Sequence, residues 1–449
     1  MSAIGIAARE GIMYDFIIVG GGIAGLELGA LLSHDGYSLL IIEQAEHTGG
    51  RTFVHSKDGF ELDNGIHLVR FGRKSAVANV LRQIGKEIRF QPLGKSYVID
   101  KNNRFILFPT GPSGFLTSGL FTFSERLKAL RIMIGLKRGS DEGFKRYTVE
   151  EWMQGAGVRG GLKRYFNLVC ASMLVCPLPS VASAQALAEN ITMVLKTGIS
   201  VEYPVHGWQK DILVPLTDAI RENGEIRTGV KVESVIIENG RAAGVKTKNG
   251  ILNAKNIIID MPSQELGRIM DIKQIKDERL KTAVGLVPTS GISIDYAIDG
   301  HISDIDGLLY LEDPVSFGCF VSNLSSDTAP AGKSLLTWFC PVHNEDMKQQ
   351  NKIKEYQQQL ENRIEGLFPQ LKTKTLFKRV LRLNTVDGVE LNISQLRDKR
   401  MDYRIRGIDN LYLVGDTTAA PGAGGDIAHE SSMECYRAIK ERLSSKDNG

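Results

Sequence analysis

The residues Gly20-Gly21-Gly22-Ile23-Ala24-Gly25 have the spacing G-x-G-x-x-G. Where this pattern joins a strand to a helix it cradles a pyrophosphate, because glycine permits the tight turn and leaves room for phosphate oxygens beside the backbone. Glu43 lies 23 residues beyond Gly20 (43 − 20), close to the roughly 20 residues expected before a carboxylate that binds ribose hydroxyls. These residues predict that the chain binds a dinucleotide whose adenosine ribose has a free 2′-hydroxyl.

Two further groups follow soon after. Gly49-Gly50-Arg51 ends in a guanidinium that can fork onto phosphate oxygens. In Asp63-Asn64-Gly65-Ile66-His67, Gly65 can let the chain lie against a flat ring. His67 is the best titratable candidate for an acid or base in catalysis, and a hydrogen-bonded structural histidine is the alternative.

The other end of the chain carries a second glycine turn. Gly415-Asp416 follows an apolar run, and the glycine-rich stretch 422–425 leads to a helix that begins at Asp426. Asp416 can accept a hydrogen bond from the ribityl chain of a flavin, and the first N–H groups of the helix can face the pyrimidine edge of the ring. A helix N-terminus placed there stabilises the negative charge of a reduced flavin, so this turn predicts redox chemistry.

The elements that must position these residues begin with one βαβ unit. Residues 14–19 and 38–42 are short apolar runs that predict buried parallel strands, and residues 24–33 between them predict a helix. Asn239-Gly240 lies between two β-branched runs and predicts a hairpin turn. Further strands are predicted over 230–237, 243–247, 257–259 and 411–414, and the last helix over 426–442.

These elements predict an α/β chain in which a Rossmann-type nucleotide-binding domain is assembled from discontinuous segments. The inserts between the segments predict a second, mixed α+β domain that binds substrate. The first insert is mostly helical in pattern, with Ser124 as an N-cap and Thr148 with Glu151 as a capping box. The predicted boundaries are 1–85, 200–280 and 391–449 for the nucleotide-binding domain, and 86–199 and 281–390 for the substrate-binding domain.

Composition excludes several classes of function. The formal net charge is +3 and no basic run has interleaved aromatic residues, so we predict no nucleic-acid partner. The five cysteines include no CxxC pair, which predicts buried thiols in a reducing cytoplasm, without a disulfide framework or a metal site. Prolines interrupt both long uncharged stretches, 105–124 and 165–188, so we predict no transmembrane helix. The first 13 residues predict a loose tail and no secretory signal.

On these residues the chain resembles the FAD-dependent family of phytoene desaturases, flavin amine oxidases and protoporphyrinogen oxidases. The matching blocks are 15–51 and 411–433, and residues 225–250 look like the family's middle FAD-binding strands, with a backbone contact from about Val232 to the adenine. The resemblance implies a glutathione-reductase-like FAD domain. Because no cysteine occurs in the block 415–428, we expect the FAD to be bound non-covalently.

The residues predicted to bind FAD lie in the two glycine turns or beside them. His67 is also the catalytic candidate. The predicted set is Gly20, Gly22, Ile23, Ala24, Gly25, Glu43, Gln44, Gly49, Gly50, Arg51, Gly65, Ile66, His67, Val232, Gly415, Asp416, Gly424, Gly425, Asp426 and Ile427.

Within this family the chain most resembles phytoene-desaturase-like proteins. The resemblance implies hydride transfer between flavin N5 and a small, largely apolar substrate such as an isoprenoid or polyene. Two alternatives stay open: a flavin oxidase of the amine oxidase or protoporphyrinogen oxidase type, and a non-enzymatic lipid-binding protein like the GDP-dissociation inhibitors. No second G-x-G-x-x-G lies between a strand and a helix, so the unknown electron partner is predicted to be oxygen, a quinone or an external donor.

Two groups of residues are candidates for handling an apolar substrate, one at a membrane surface and one in a cavity. The run 115–123 is rich in Phe and Leu and precedes a helix with basic residues at 126, 128, 131, 137 and 138. Apolar side chains beside a basic face can dock on an anionic membrane, and a core segment with solvated cations is the alternative. Trp338, Phe339 and Tyr403 are candidates to line a substrate cavity, or ordinary core residues.

Overall fold

The computed structural model describes residues 13–137 and 144–447. Residues 1–12 of the predicted tail and the basic residue Arg138 lie outside the described part, and Met13 already belongs to the first strand. The described chain combines two large sheets, two small sheets and α-helices, so the predicted α/β fold class is confirmed. Within it, no helix has both the length and the apolar character needed to span a bilayer.

The first large sheet contains the predicted βαβ unit. Its strands are β1 Met13–Val19, β2 Leu39–Ile42, β10 Gly224–Arg227, β11 Val232–Glu238, β12 Arg241–Thr247, β13 Gly250–Asp260 and β19 Leu411–Val414. Five of them are parallel in the order β10-β2-β1-β13-β19, the arrangement of a Rossmann-type sheet. The antiparallel pair β12 and β11 extends the sheet from the first half of β13.

Strands β2 and β19 and the second halves of β1 and β13 are buried, which explains their continuous apolar sequence. Phe16 and Ile18 of β1 pack in one core, whereas Ile17 and Val19 pack in a second core with the β11–β12 hairpin. Successive side chains of a strand point to opposite faces, so β1 alone serves both cores. The predicted Asn239-Gly240 turn joins β11 to β12, and both of its residues have positive φ.

Helices cover the sheet and fill the inserts. Helix α1, which follows β1, packs against α8 and against the last helix, α14. The helices are α1 Ile23–His34, α2 Ala76–Gln83, α3 Gly111–Thr117, α4 Phe123–Lys137, α5 Val149–Gly155, α6 Gly160–Met173, α7 Ala184–Thr197, α8 Val214–Asn223, α9 Arg279–Ala283, α10 Val321–Leu324, α11 Asn344–Met347, α12 Gln350–Leu367, α13 Leu371–Lys374 and α14 Gly425–Asp447.

The second large sheet is mainly antiparallel and comes from the inserts. Its strands are β7 Tyr97–Ile99, β8 Phe105–Leu107, β14 Ser290–Asp299, β15 Leu309–Glu312, β16 Val315–Phe320, β17 Lys333–Val342 and β18 Thr375–Leu383. They lie in the order β18-β14-β17-β16-β15-β7-β8, and β15 and β7 are parallel. Helix α12 packs on one face, where Leu360 and Ile364 belong to the same apolar core as Trp338. The opposite face carries Phe317 and Phe339 toward the cavity described below.

Two small sheets connect these parts, β3 His55–Lys57 with β4 Phe60–Leu62, and β5 Val69–Arg70 and β6 Phe90–Pro92 on either side of β9 Val201–Pro204. Every strand of the first large sheet lies in a segment predicted for the nucleotide-binding domain, and every strand of the second lies in a predicted insert. The domain boundaries themselves stay a prediction.

The predicted N-cap of α4 is wrong. The helix begins at Phe123, so Ser124 lies inside its first turn. The side chain of Thr122 accepts a hydrogen bond from the N–H of Glu125 at 3.4 Å, and Glu125 accepts one from the N–H of Thr122 at 2.8 Å. These reciprocal bonds make Thr122 the better cap, because they satisfy two exposed donors at once. The predicted Thr148–Glu151 capping box is confirmed.

Candidate cofactor and substrate site

One cavity of about 1350 Å³ joins the two glycine turns to an apolar chamber. Sites for a single small ligand have volumes of roughly 300–1,000 Å³, so this cavity has room for a dinucleotide and a second molecule. Most residues predicted to bind the cofactor line it, although they come from distant parts of the sequence. They are Gly20, Gly22, Ile23, Ala24, Glu43, Gln44, Gly49, Gly50, Arg51, Gly65, Ile66, His67, Val232, Gly415, Asp416, Gly424, Gly425 and Asp426.

Two predicted residues do not line the cavity. A side chain on Gly25 would place its Cβ 2.6 Å from Asp260 Oδ2 and 2.9 Å from the Gly20 carbonyl oxygen, so Gly25 serves close packing between the helix and the sheet. The side chain of Ile427 is fully buried in the core, and its N–H donates to the Gly424 carbonyl at 3.1 Å.

The first glycine turn is held by Glu43 at the end of β2. One carboxylate oxygen of Glu43 accepts a hydrogen bond from the N–H of Gly21 at 2.7 Å, and the other accepts one from Ala45 at 2.8 Å. Gly20 has φ of +107°, which glycine adopts without strain. Glu43 therefore lies beside the turn, where the sequence predicts a ribose.

An ion pair between Arg51 and Asp416 joins the two ends of the chain. The guanidinium forks onto the carboxylate with N–O distances of 2.6 and 2.7 Å and also donates to the Val386 carbonyl at 2.9 Å. Burial alone would raise the pKa of Asp416, but Arg51 and the N–H of Gly388 at 2.5 Å hold that pKa below its usual value. The predicted contacts of Arg51 with phosphate and of Asp416 with the ribityl chain stay predictions.

Sequence reasoning missed two carboxylates that line the cavity. Asp260 ends β13 and accepts a hydrogen bond from the N–H of Gly25 at 2.8 Å; burial raises its pKa to about 7. Asp387 lies near Gly424, and burial together with Asp416 raises its pKa to about 6. The sequence contains a pattern that indicates Asp260, because this residue directly follows the predicted strand 257–259 as Glu43 follows the second strand. Asp387 lies in a loop, and no sequence pattern indicates it.

His67, the predicted catalytic residue, is mostly buried in the cavity wall. Its Nδ1 lies 3.9 Å from Asp63 Oδ2, too far for a hydrogen bond, and has no hydrogen-bond partner among the described residues. Burial lowers the pKa of His67 to about 4, and Arg379 and Arg51 add to that effect. His67 is therefore neutral near pH 7.

A buried pair, Glu27 and His429, lies where α1 and α14 meet. His429 lines the cavity, and its Nδ1 is 2.6 Å from Glu27 Oε1. The hydroxyl of Ser432 donates to the other carboxylate oxygen at 2.7 Å. Burial alone would lower the pKa of His429, but the Glu27 carboxylate raises it above its usual value. The pair links α1 to α14, the two helices whose N-terminal turns contain the glycine motifs.

The far part of the cavity is an apolar chamber. Phe108 stacks on Tyr310 and on Tyr165, with ring centroids 4.4 and 5.2 Å apart. Phe339 also lines the chamber, whereas the neighbouring Trp338 points to the opposite face of β17 and donates to Ser316 Oγ at 3.1 Å. Tyr403 is not among the residues that line the cavity. The other described side chains of this chamber include Phe115, Leu130, Met133, Ile134, Val169, Met173, Val175, Ile191, Val194, Leu195, Leu308 and Phe317.

These features fit a flavin dinucleotide. The N-terminal turns of α1 and α14 open onto the same cavity, so main-chain N–H groups are available to phosphate at one and to a flavin ring at the other. All five cysteines are buried free thiols, as predicted. Within the described residues no cluster of His, Cys, Asp and Glu could hold a metal ion.

Comparison with known proteins agrees with this geometry. The sequence profile of the family described as flavin containing amine oxidoreductase matches residues 23–432. The 4,4'-diapophytoene desaturase (4,4'-diapolycopene-forming) of Methylomonas sp is 24% identical over 96% of this chain and 96% of its own length. The chloroplastic prolycopene isomerase of Daucus carota is 24% identical over 96% of this chain and 80% of its own length.

The fold has a close counterpart among solved structures. An oxidoreductase from Methanosarcina mazei superposes with a TM-score of 0.80 at 20% sequence identity, covering 94% of this chain and 99% of its own. At this identity the match supports the fold alone, whereas the family profile spans most of the sequence. The chain belongs to the family of flavin-containing amine oxidoreductases and is an FAD-dependent oxidoreductase.

Proposed function

We propose that this chain binds FAD non-covalently and transfers hydride between the flavin and a largely apolar, isoprenoid-like or polyene-like substrate, as a desaturase or a saturase. The observation that carries the proposal is the continuity of the cavity, whose glycine turns open directly into the aromatic and aliphatic chamber. The bound flavin supplies a hydride donor or acceptor at N5. The similarity to a diapophytoene desaturase and a prolycopene isomerase supports a polyene.

The charge of the chamber favours an uncharged substrate over an amine. Of the described residues that line it between 108 and 201 and between 308 and 339, none is Asp or Glu. An ammonium group would lose its hydration there without gaining a carboxylate partner, which is costly in an apolar environment. Burial also raises the pKa values of Tyr165 and Tyr310, so their hydroxyls stay neutral.

The protein's part in this reaction is to orient the substrate and exclude water. The stacked rings of Phe108 and Tyr310 offer a flat apolar wall on which a conjugated chain can lie. Because the pKa of His67 is about 4, its ring is uncharged at neutral pH, and one of its two nitrogens can accept a hydrogen bond. The proposal therefore needs no protein acid and keeps His67 as a neutral side chain in the cavity wall.

Two features support non-covalent FAD and an external electron partner. None of the described residues that line the cavity is cysteine, so no thiol is placed to attack the flavin ring. The described chain also contains one Rossmann-type parallel sheet, which leaves no second nucleotide domain for a nicotinamide within it. We propose oxygen, a quinone or a separate redox protein as the route for electrons.

The test is spectroscopic. Purified protein should be yellow, and denaturation should release the flavin into solution. Anaerobic incubation with a panel of polyenes, amines and porphyrinogens should bleach the flavin with a polyene, or the reduced flavin should be reoxidised by one. Reduction by an amine or a porphyrinogen alone would contradict the proposed substrate class. A colourless protein that takes up no FAD would contradict the whole proposal.

We further propose that the chamber opens onto a membrane. On α4 the residues Phe123, Leu127, Leu130 and Ile134 follow at intervals of four, three and four, which puts them on one helical face. All four are exposed, Phe123 by 74%. Leu130 and Ile134 also line the cavity, so this exposed face, called here the α4 stripe, borders its mouth.

The charges beside the stripe favour an anionic bilayer as its occupant. Lys137 is exposed and lines the mouth, and Arg131 is exposed on the same helix. Apolar side chains that enter the acyl boundary, with cations at the level of acidic headgroups, are typical of interfacial helices. Such docking would let a lipid-soluble substrate enter the chamber without crossing water.

Vesicle flotation tests this surface. The intact chain should float with vesicles that contain phosphatidylglycerol and float less with phosphatidylcholine alone. Replacing both Phe123 and Leu127 by Ser should weaken binding about tenfold or more, because it removes two exposed apolar side chains. Leu376→Ser is the matched control, since Leu376 is 49% exposed on β18, away from the stripe. Equal flotation of all three proteins would contradict the proposal.

A further inference from the structure

Asp260 lies directly against the first glycine turn, where the cofactor is expected to bind. Its Oδ2 accepts a hydrogen bond from the N–H of Gly25 at 2.8 Å. A side chain on Gly22 would bring its Cβ within 2.7 Å of the same oxygen, so the turn wraps closely around this carboxyl group. Asp260 is only partly buried and lines the cavity. A pyrophosphate that enters the turn therefore comes close to it.

The charged groups that face Asp260 come from three other elements. Glu43 follows β2, Asp416 follows β19, and Arg51 lies in the turn after Gly50. Arg51 is the cation in this group, but its two terminal nitrogens fork onto Asp416. Burial raises the pKa of Asp260 to about 7, and Asp416 and Glu43 add to this effect against the opposing Gly25 N–H and Arg51. The charged groups that act on Asp260 are thus two carboxylates and one guanidinium before a phosphate arrives.

We propose that Asp260 binds the cofactor as a neutral carboxylic acid, which takes up one proton as the pyrophosphate enters and donates it in a hydrogen bond to a phosphate oxygen. An ionised carboxylate has no proton to donate and would repel the phosphate, whereas the acid form provides an O–H donor. The proton comes from solvent and stays on Asp260, and no covalent bond changes elsewhere. The proposal rests on the FAD assignment and adds to it a residue and its protonation state.

The proposal predicts how FAD affinity depends on pH. Below about pH 7 the acid is already protonated in the free protein, so affinity should be nearly constant. At higher pH the proton must be taken up on binding, so affinity should fall about tenfold per pH unit until the pKa of the bound state is reached. Titrating the flavin-free full chain with FAD from about pH 6 to about pH 9 measures this slope, and calorimetry in two buffers counts the proton.

Replacing Asp260 by asparagine keeps nearly the same shape but removes the charge, so it tests the effect of the charge alone. Asp260→Asn keeps a hydrogen-bond donor that is neutral at every pH, so its FAD affinity should be independent of pH. At about pH 9 it should bind FAD about tenfold or more tightly than the unchanged chain. Asp387→Asn is the matched control, because Asp387 also lines the cavity with a raised pKa but lies near Gly424 at the other glycine turn. It should keep the slope.

ADP-ribose and riboflavin represent the two ends of the cofactor. ADP-ribose carries the same doubly esterified pyrophosphate, which does not titrate in this pH range, and should show the same slope as FAD, whereas riboflavin lacks a phosphate and should show none. The proposal is overturned if FAD binds the unchanged chain equally well at all pH values, if the slope survives in Asp260→Asn, or if Asp387→Asn removes it. Absence of FAD binding at every pH in both proteins would instead overturn the cofactor assignment.

Discussion

The two ends of the cavity are built in different ways. The cofactor end consists of glycine turns, two helix N-termini and charged side chains, of which Arg51 and Asp416 are paired. The chamber end consists of aromatic and aliphatic side chains from α4, α6, α7 and the second sheet. The first end recognises groups that every FAD shares, whereas the second selects by shape. Substitutions in the chamber should therefore leave FAD binding unchanged, and substitutions at the cofactor end should leave the selection of substrate by shape unchanged.

The largest effect is expected from Gly22→Val. The new side chain would meet Asp260 Oδ2, since even a Cβ would lie 2.7 Å from it, and it would fill the space of the pyrophosphate. FAD affinity should fall by more than about a hundredfold, the cost of losing several charge-assisted hydrogen bonds. Visible absorbance of the purified protein measures flavin occupancy.

Gly366→Val is the control for that experiment. Gly366 lies in α12, and a Cβ there would meet no atom within 4 Å. It should keep the flavin, so any loss shared by both variants would reflect folding and not the site. Full flavin occupancy in Gly22→Val would contradict the distinction between the two ends of the cavity, because the first glycine turn would then not bind the cofactor.

A smaller effect is expected from Arg51→Lys, which keeps the charge but removes the planar fork. Lysine lacks the planar group that pairs with both oxygens of Asp416 and is predicted to contact a phosphate oxygen, so FAD affinity should fall about thirtyfold, the cost of one charge-assisted hydrogen bond to the cofactor. Fluorescence titration with FAD measures it. Arg397→Lys is the control, because the Arg397–Glu434 pair is on the surface and such pairs contribute little. Equal losses in the two variants would contradict a special role for Arg51.

Much of the cofactor end could be predicted because its signals are local. A glycine motif, a short apolar strand and an acidic residue occupy a few adjacent positions, and the strand 411–414 has the predicted bounds. The bidentate ion pair between Arg51 and Asp416 could not be predicted, because 365 residues separate the two side chains. Asp260 could have been found by treating every acid after a parallel strand as Glu43 was treated, since the carboxyl ends of parallel strands meet at one edge.

The chamber end was harder to predict. Trp338 and Phe339 are adjacent aromatic residues in one strand, and only the fold decides which one faces the cavity. The α4 stripe is visible in the sequence as helical spacing, but the same spacing also fits a buried face. The low pKa of His67 could not be predicted from the sequence either, because it depends on burial and on Arg379, which lies far along the chain.

Glu27→Gln tests the buried pair behind the cofactor end and should lower the free energy of unfolding by about 1–2 kcal/mol. The pKa of His429 is raised in the folded protein, so the pair stabilises below the unfolded value of about 6.5 and loses this contribution as pH rises through the folded value. The difference from the unchanged chain should therefore shrink with increasing pH, as urea unfolding can measure. Ser432→Ala, which removes a neutral donor to Glu27, should show a pH-independent loss. A difference that grows with pH would contradict this sign.

The smallest effect is expected in the chamber, from Tyr310→Phe. If the chamber selects by shape, removing one hydroxyl and keeping the ring stacked on Phe108 should change kcat and KM by less than about threefold, below 1 kcal/mol. Tyr310→Ala removes the ring as well and should raise KM about tenfold with the flavin spectrum unchanged. A large loss of kcat in Tyr310→Phe would mean that a hydroxyl takes part in the chemistry. The chamber would then act by hydrogen bonding, as the cofactor end does, and the distinction between the two ends would fail.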